Sequence, residues 1–153
     1  VDLFPSITAA SGVEPCVEDD DLPGSELWSI AAGHEPDQRL VFSEYHAMGS
    51  SSASYMLRDR QFKYVNHVGY LPQLFDLSSD PTELINLAGD PGHVGTVHFF
   101  ERALQALCDP DATDAAAKAD QARLIAENGG EDLIRQVGPQ ISFTRAPVEF
   151  RVG

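Results

Sequence analysis

The alternation of apolar and polar positions divides the chain into a helical opening, a run of short strands and a helical second half. Residues 3–11 place Leu3, Phe4 and Ile7 on one helical face, behind Asp2 as N-cap and ahead of Gly12 as the stop. Residues 13–24, with Pro15, Asp19-Asp20-Asp21 and Pro23-Gly24, read as a loop. Ser25 stands as the cap of a second short helix over 26–32, ended by Gly33, with Trp28 as its core anchor. From 39 to 46 the spacing turns to strand character through Leu40, Val41, Phe42 and Tyr45. Strands follow at 54–58 and 61–67, joined through Asp59-Arg60 as a hairpin, and at 73–77. Helices are then expected at 81–88, 93–108, 112–127 and 131–137. The helix over 93–108 has the clearest apolar face (Val97, Phe100, Leu104, Leu107) and should cover the sheet. The next has only a thin stripe, Ala115, Ala119, Ala122 and Ile125, and should pack on the outside. The tail from 140 onward holds Ile141, Phe143, Val148 and Phe150, to pack on its own domain or reach a neighbour. The fold class is α+β: a small antiparallel sheet of about four strands packed by helices.

At 153 residues one domain is the default, and 42% hydrophobic residues suffice for a core. The net charge of −14 argues against nucleic acid or an anionic membrane as partner, since both select cationic surface. Much of that acidity is a solvated face. No apolar run approaches the ~20 residues of a membrane span, and no signal-peptide pattern opens the chain. A cytoplasmic setting is slightly favoured, with the compartment left open. The chain begins with Val rather than Met, which suggests a piece of something longer or a processed product. Cys16 and Cys108 can pair, but their spacing does not demand it. The acidic triplet lacks the alternating spacing of an EF-hand loop and reads as solvated.

The stretch Gln73-Leu74-Phe75-Asp76-Leu77-Ser78-Ser79-Asp80-Pro81-Thr82-Glu83-Leu84-Ile85-Asn86-Leu87 organises the rest. Its apolar strand stops at a turn, and Asp80, Pro81 and Glu83 then spell an N-cap, a first-turn proline and a capping box. The same residues, as Q-L-F-D-L-x-x-D-P-x-E-x-x-N-L, resemble a signature near the C-terminal end of sulfatases and related hydrolases of the alkaline-phosphatase superfamily. Its choline-sulfatase-like and phosphonate-hydrolase-like branches look nearest. Val1-Asp2-Leu3-Phe4-Pro5-Ser6 with Ala10-Ser11-Gly12-Val13 is similar to a helix of that family. Ser43-Glu44-Tyr45-His46, Met56-Leu57-Arg58-Asp59 and Phe62-Lys63-Tyr64-Val65 resemble its preceding hairpin. The resemblance covers residues 1–89, and residues 90–153 would be covering helices and tail of the same domain.

That resemblance implies a formylglycine nucleophile and a divalent cation, calcium or similar. It places both on an N-terminal sulfatase domain preceding Val1. Here Cys108-Asp109-Pro110-Asp111-Ala112 has C-x-P but lacks the small residue and Arg that follow in the family motif, so it is rejected as a nucleophile. No G-x-S-x-G elbow, H-E-x-x-H or phosphate-cradling glycine loop occurs, and His93 and His98 lie five apart, on different helix faces.

The resemblance also points to Glu44 and His46, with the loop 49–52, as the border of a substrate pocket. Glu44 suits a cationic substrate group, and His46 can bond an ester oxygen or donate a proton near neutral pH. The plainer reading pairs Glu44 with Arg58 or Lys63 across the hairpin and leaves His46 in a half-exposed loop. Asn66 and His67 are weaker candidates, and Arg58 with Lys63 reads as a surface ion-pair ladder. Two functions stand. One is the C-terminal portion of a sulfatase-like hydrolase of sulfate, phosphate or phosphonate esters, inactive alone, partnered by the missing domain and a small-molecule ester, and open to homo-oligomerisation. The other is a non-catalytic binding or oligomerisation module. An exposed apolar patch on helix 3–11 and the neighbouring sheet face should mark where a larger domain docks.

Overall fold

Four short strands hold the molecule together. In the computed structural model, which describes residues 1–19, 21–34, 39–46 and 50–137, they are β1 (Val41–Tyr45), β2 (Ser54–Arg58), β3 (Phe62–His67) and β4 (Gln73–Asp76). They pair antiparallel in the order β1-β2-β3-β4. Helices α1 (Leu3–Ser11) and α2 (Leu27–Ala31) precede them, and α3 (Val94–Leu107), α4 (Pro110–Glu127) and α5 (Gly130–Val137) follow. The α+β class, the four strands and the hairpin through Asp59-Arg60 are as the pattern predicts. The hairpin turn forms because the Asp59 carboxylate accepts the Gln61 and Phe62 amides (2.8 and 2.6 Å), while Asp59 N–H donates to the Phe62 carbonyl (3.0 Å).

The register explains the core. Phe42, Leu57, Tyr64 and Leu74 stand in one row across the sheet. Since side chains alternate, that row shares a face with Tyr55 in the next. Helix α3 brings Val97, Phe100 and Leu104 down on this face, with the Phe100 ring stacked on Tyr64 at 5.8 Å. Tyr55, Leu57, Tyr64, Leu74, Phe100 and Leu104 all lose essentially their whole surface. Val97, Phe100 and Leu104 keep the predicted spacing, whereas Leu107 at the helix end is exposed.

Residues 80–90 depart from the expectation. No helix forms at 81–88. The Asp80 carboxylate accepts from the Ile85 amide (2.8 Å) and the Thr82 hydroxyl (3.2 Å), which closes a wide loop rather than a helical turn. Glu83 sits at φ 58°, and its carboxylate is drawn to Lys63 of β3 at 2.6 Å instead of reaching back to Asp80. Asn86 then accepts the Leu74 amide (3.0 Å), and Leu87 N–H donates to the Leu74 carbonyl (2.8 Å). The motif's last residues therefore cap the outer edge of β4. A residue pattern that suits a helix start is overridden by bonds to the sheet beside it.

Three further expectations change. Asp2 makes no side-chain cap to α1; its carboxylate accepts from Ser25 N–H (2.9 Å) and pairs with Arg39. Helix α2 is capped not by Ser25 but by Ser6 of α1, whose hydroxyl accepts the Leu27 amide (2.8 Å). Trp28 is no core anchor: it is 61% exposed, and its indole N–H reaches the Ser6 carbonyl (3.4 Å). Gly12 does end α1, at φ 68°. Leu3, Phe4 and Ile7 of α1 and Val41, Phe42 and Tyr45 of β1 are all exposed. The tail from 138 onward and Gly49 lie outside the described residues.

Two substitutions test this packing by urea denaturation. Phe100→Ala should cost about 3–5 kcal/mol, as for an aromatic side chain removed from a closed core. Asn86→Ala should cost about 1–3 kcal/mol by leaving the Leu74 amide without its acceptor. A helix over 81–88 would have made that position nearly neutral.

Candidate functional site

Glu44 and His46 come together at the end of β1. Their side chains leave on the same, helix-covered side of the strand, and His46 Nε2 lies 3.3 Å from the Glu44 carboxylate. Glu44 stands opposite Tyr55 in the register, and the His46 ring meets the Tyr55 ring edge-on at 5.4 Å. Neither expected cross-hairpin partner binds Glu44 among the described pairs, and Lys63 bonds Glu83 instead. Arg58 and Lys63 stand directly opposite one another, so they form no ladder of alternating charge. Asn66 continues the Glu44–Tyr55 row, while His67 falls in the row of Tyr45 and Ser54 on the other face of the sheet.

Residues 50–53 and α4 complete the surroundings. Asp109 caps α4, accepting from the Asp111 and Ala112 amides (both 3.1 Å), with Pro110 at the first turn. The Tyr55 hydroxyl donates to the Pro110 carbonyl (3.3 Å). One turn on, the buried Asp114 carboxylate accepts the Ala53 amide (2.7 Å) and is paired by Lys118 at 2.7 Å. Gln121 donates to the His46 carbonyl (3.4 Å). Asp114, Lys118 and Gln121 follow i, i+4, i+7 spacing, so one polar face of α4 is bound to the sheet and to the segment ahead of β2. The alanine stripe expected to pack is itself exposed apart from Ile125, which is half-buried. Sequence reasoning missed this polar face; its spacing, on a helix without a convincing apolar stripe, was the available signal.

His46, Ser52, Ala53, Asp114, Lys118 and Gln121 border a cleft of about 50 Å3, with Ser50 and Ser51 at its mouth. Small-molecule sites run to roughly 300–1,000 Å3. The cleft is therefore too small to enclose a drug-sized molecule by itself. His46 Nδ1 is enclosed and has no hydrogen-bond partner among the described residues.

The electrostatics follow from these contacts. The Lys118 ammonium and then the Ala53 amide hold the Asp114 carboxyl below its ordinary value. Burial pushes the Tyr55 phenol up. Burial, then Glu44 and Asp109, push the Cys108 thiol up, so thiolate is scarce there at neutral pH and nucleophilic character is weak. Among the described residues, no group of three or more His, Cys, Asp and Glu side chains is placed to hold a metal ion. No helix among them is long and apolar enough to cross a membrane.

Asp114→Ala should destabilise the chain at pH 7 by stranding the Ala53 amide. A depressed carboxyl contributes stability above its unfolded pKa of about 3.9 and loses it as pH falls through the folded value. The gap between the natural chain and Asp114→Ala should thus shrink below about pH 4, measured by thermal unfolding across pH. A gap constant with pH would show that the charge on Asp114 contributes nothing.

No family model matches the chain. It is similar to arylsulfatase K of Bos taurus, 49% identical over 99 residues that cover 58% of this chain and 18% of that protein. Arylsulfatase K of Homo sapiens is 47% identical over 99 residues, with the same shares. The chain thus spans about a fifth of the length of these curated relatives. Among solved structures, a phosphonate monoester hydrolase of Agrobacterium radiobacter superposes with a TM-score of 0.53 at 29% identity, covering 69% of this chain and 24% of that one. A 2-O GAG sulfatase superposes with a TM-score of 0.53 at 27% identity, covering 78% and 25%. In sequence and in fold the chain is thus similar to a segment of sulfatases and of a related phosphonate monoester hydrolase.

Proposed function

We propose that this chain is the C-terminal portion of a sulfatase-like hydrolase of sulfate esters, which borders the substrate pocket while a preceding domain supplies nucleophile and metal. The observation that carries the reading is the 49% identity to an arylsulfatase over 99 residues that amount to 18% of that enzyme. In this reading, formylglycine and a divalent cation, calcium or similar, belong to the preceding domain. Phosphate and phosphonate esters stay within the same proposal, because one similar structure is a phosphonate monoester hydrolase.

Within such an enzyme Glu44 and His46 form a wall. The Glu44 carboxylate attracts a cationic group of the substrate and holds the His46 imidazole in place through Nε2. Helix α4 steadies that wall through Asp114 and Gln121. The exposed side chains of Leu3, Phe4 and Ile7 suit burial against the preceding domain, since contiguous apolar surface seldom stays open. A second reading, a non-catalytic module, is favoured by one observation: the sheet and α3 close a core of their own.

The chain purified alone should show no turnover of 4-nitrophenyl sulfate. Addition of the preceding domain carrying its formylglycine should restore turnover. Metal-dependent hydrolysis by the isolated chain contradicts the assignment, and failure of every combination favours the binding module. In the restored enzyme, Glu44→Gln or His46→Ala should lower kcat/KM for the enzyme's own ester about ten- to hundredfold, the loss expected for one hydrogen bond to a charged group. An unchanged kcat/KM would assign both residues to the surface.

A further inference from the structure

Arginine gathers at one end of the sheet. Side chains alternate along a strand, so Val41, Met56 and Arg58 stand on the face away from α3. Val41 lies beside Arg58 in the register, and Met56 is in the next row of that face. Arg39, ahead of β1, and Arg60, in the hairpin turn, join them. Together with Asp59 these side chains border a cavity of about 310 Å3. Small-molecule sites begin at roughly 300 Å3, so this cavity, unlike the cleft beside His46, has room for a small organic molecule.

The charges around it are unusual for this chain. Three of its 10 Lys and Arg side chains meet here, although the net charge is −14. The nearby carboxylates are each engaged. Asp59 accepts the Gln61 and Phe62 amides, Asp2 pairs with Arg39, and Glu83 pairs with Lys63, which stands opposite Arg58 on β3. Among the described residues no carboxylate pairs with Arg58, whose side chain is exposed. A guanidinium offers its donors as a rigid fork that matches the oxygens of an oxyanion. Val41 and Met56 supply an apolar floor beside it, and a thioether packs well against a ring.

We propose that this cavity binds a small organic oxyanion, with its charged oxygens on the Arg58 fork beside Arg60 and its apolar body on Val41 and Met56. The acidity of the rest of the chain repels an extended polyanion, which restricts the occupant to a small one. The site is independent of any preceding domain and of the roles of Glu44 and His46, which stand on the opposite face of the sheet.

Titration of the full chain with benzenesulfonate, phenylphosphonate and benzoate, followed by amide and methionine-methyl NMR, tests this. At least one anion should shift the Val41, Met56 and Arg58 signals saturably, with an affinity that falls as salt rises. The tightest binder identifies the oxyanion. Arg58→Gln should weaken that binding about tenfold or more, while the Leu57 and Tyr64 amides keep their positions. Arg60→Gln should weaken it as well, and serves where Arg58→Gln fails to fold. Benzyl alcohol, an uncharged ring of similar size, should leave the three signals in place. Absence of saturable shifts with all three anions overturns the proposal. So does binding that both variants leave unchanged, or an equal response to benzyl alcohol.

Discussion

The stacking of Phe100 on Tyr64 within the Leu57–Tyr64–Leu74 row is the contact from which the rest follows. A four-stranded sheet in water needs one face covered by something apolar, and α3 is the element with the stripe to do it. That choice puts α3 and the start of α4 on the side of Tyr55 and Tyr64. It leaves β1 and the opening helices with large apolar side chains exposed. The chain is thus closed where its second half covers the sheet and open where its first half runs.

Polar contacts then fix what the apolar face cannot. Helix α4 buries little hydrophobic surface and is held by an aspartate, a hydroxyl and an amide. Residues 80–88 are held in the same way, through Asn86 and the Lys63–Glu83 pair. Hydrogen bonds of this kind depend on direction more than on area, so they define where the segment 50–53 and His46 lie. In the proposed function these bonds hold Glu44 and His46 in place beside the cleft of about 50 Å3.

The strands, the hairpin and α3 were legible in the sequence because period and turn chemistry act locally: Asp59 makes its turn from its own side chain, and Val97, Phe100 and Leu104 recur at helical spacing. Residues 81–88 were misread for the opposite reason. Asp80, Pro81 and Glu83 do favour a helix start, but Lys63 and Leu74, distant in sequence, compete for Glu83 and Asn86. Trp28 shows that apolar character in a short helix does not by itself mean burial. The pair Glu44 and His46 could be named from the family motif, yet their mutual hydrogen bond and the contribution of Asp114 depended on how α4 docks. A single-residue polar anchor on a helix leaves little trace in hydrophobic periodicity.

The chain spans about a fifth of the length of the arylsulfatases it resembles, and the proposed function makes it the C-terminal part of such an enzyme. The most direct measurement is the sequence of the coding region immediately upstream of Val1. The account predicts an uninterrupted frame that encodes a C-x-P-[SA]-R motif. A start codon directly ahead of Val1, with no such motif, would contradict it.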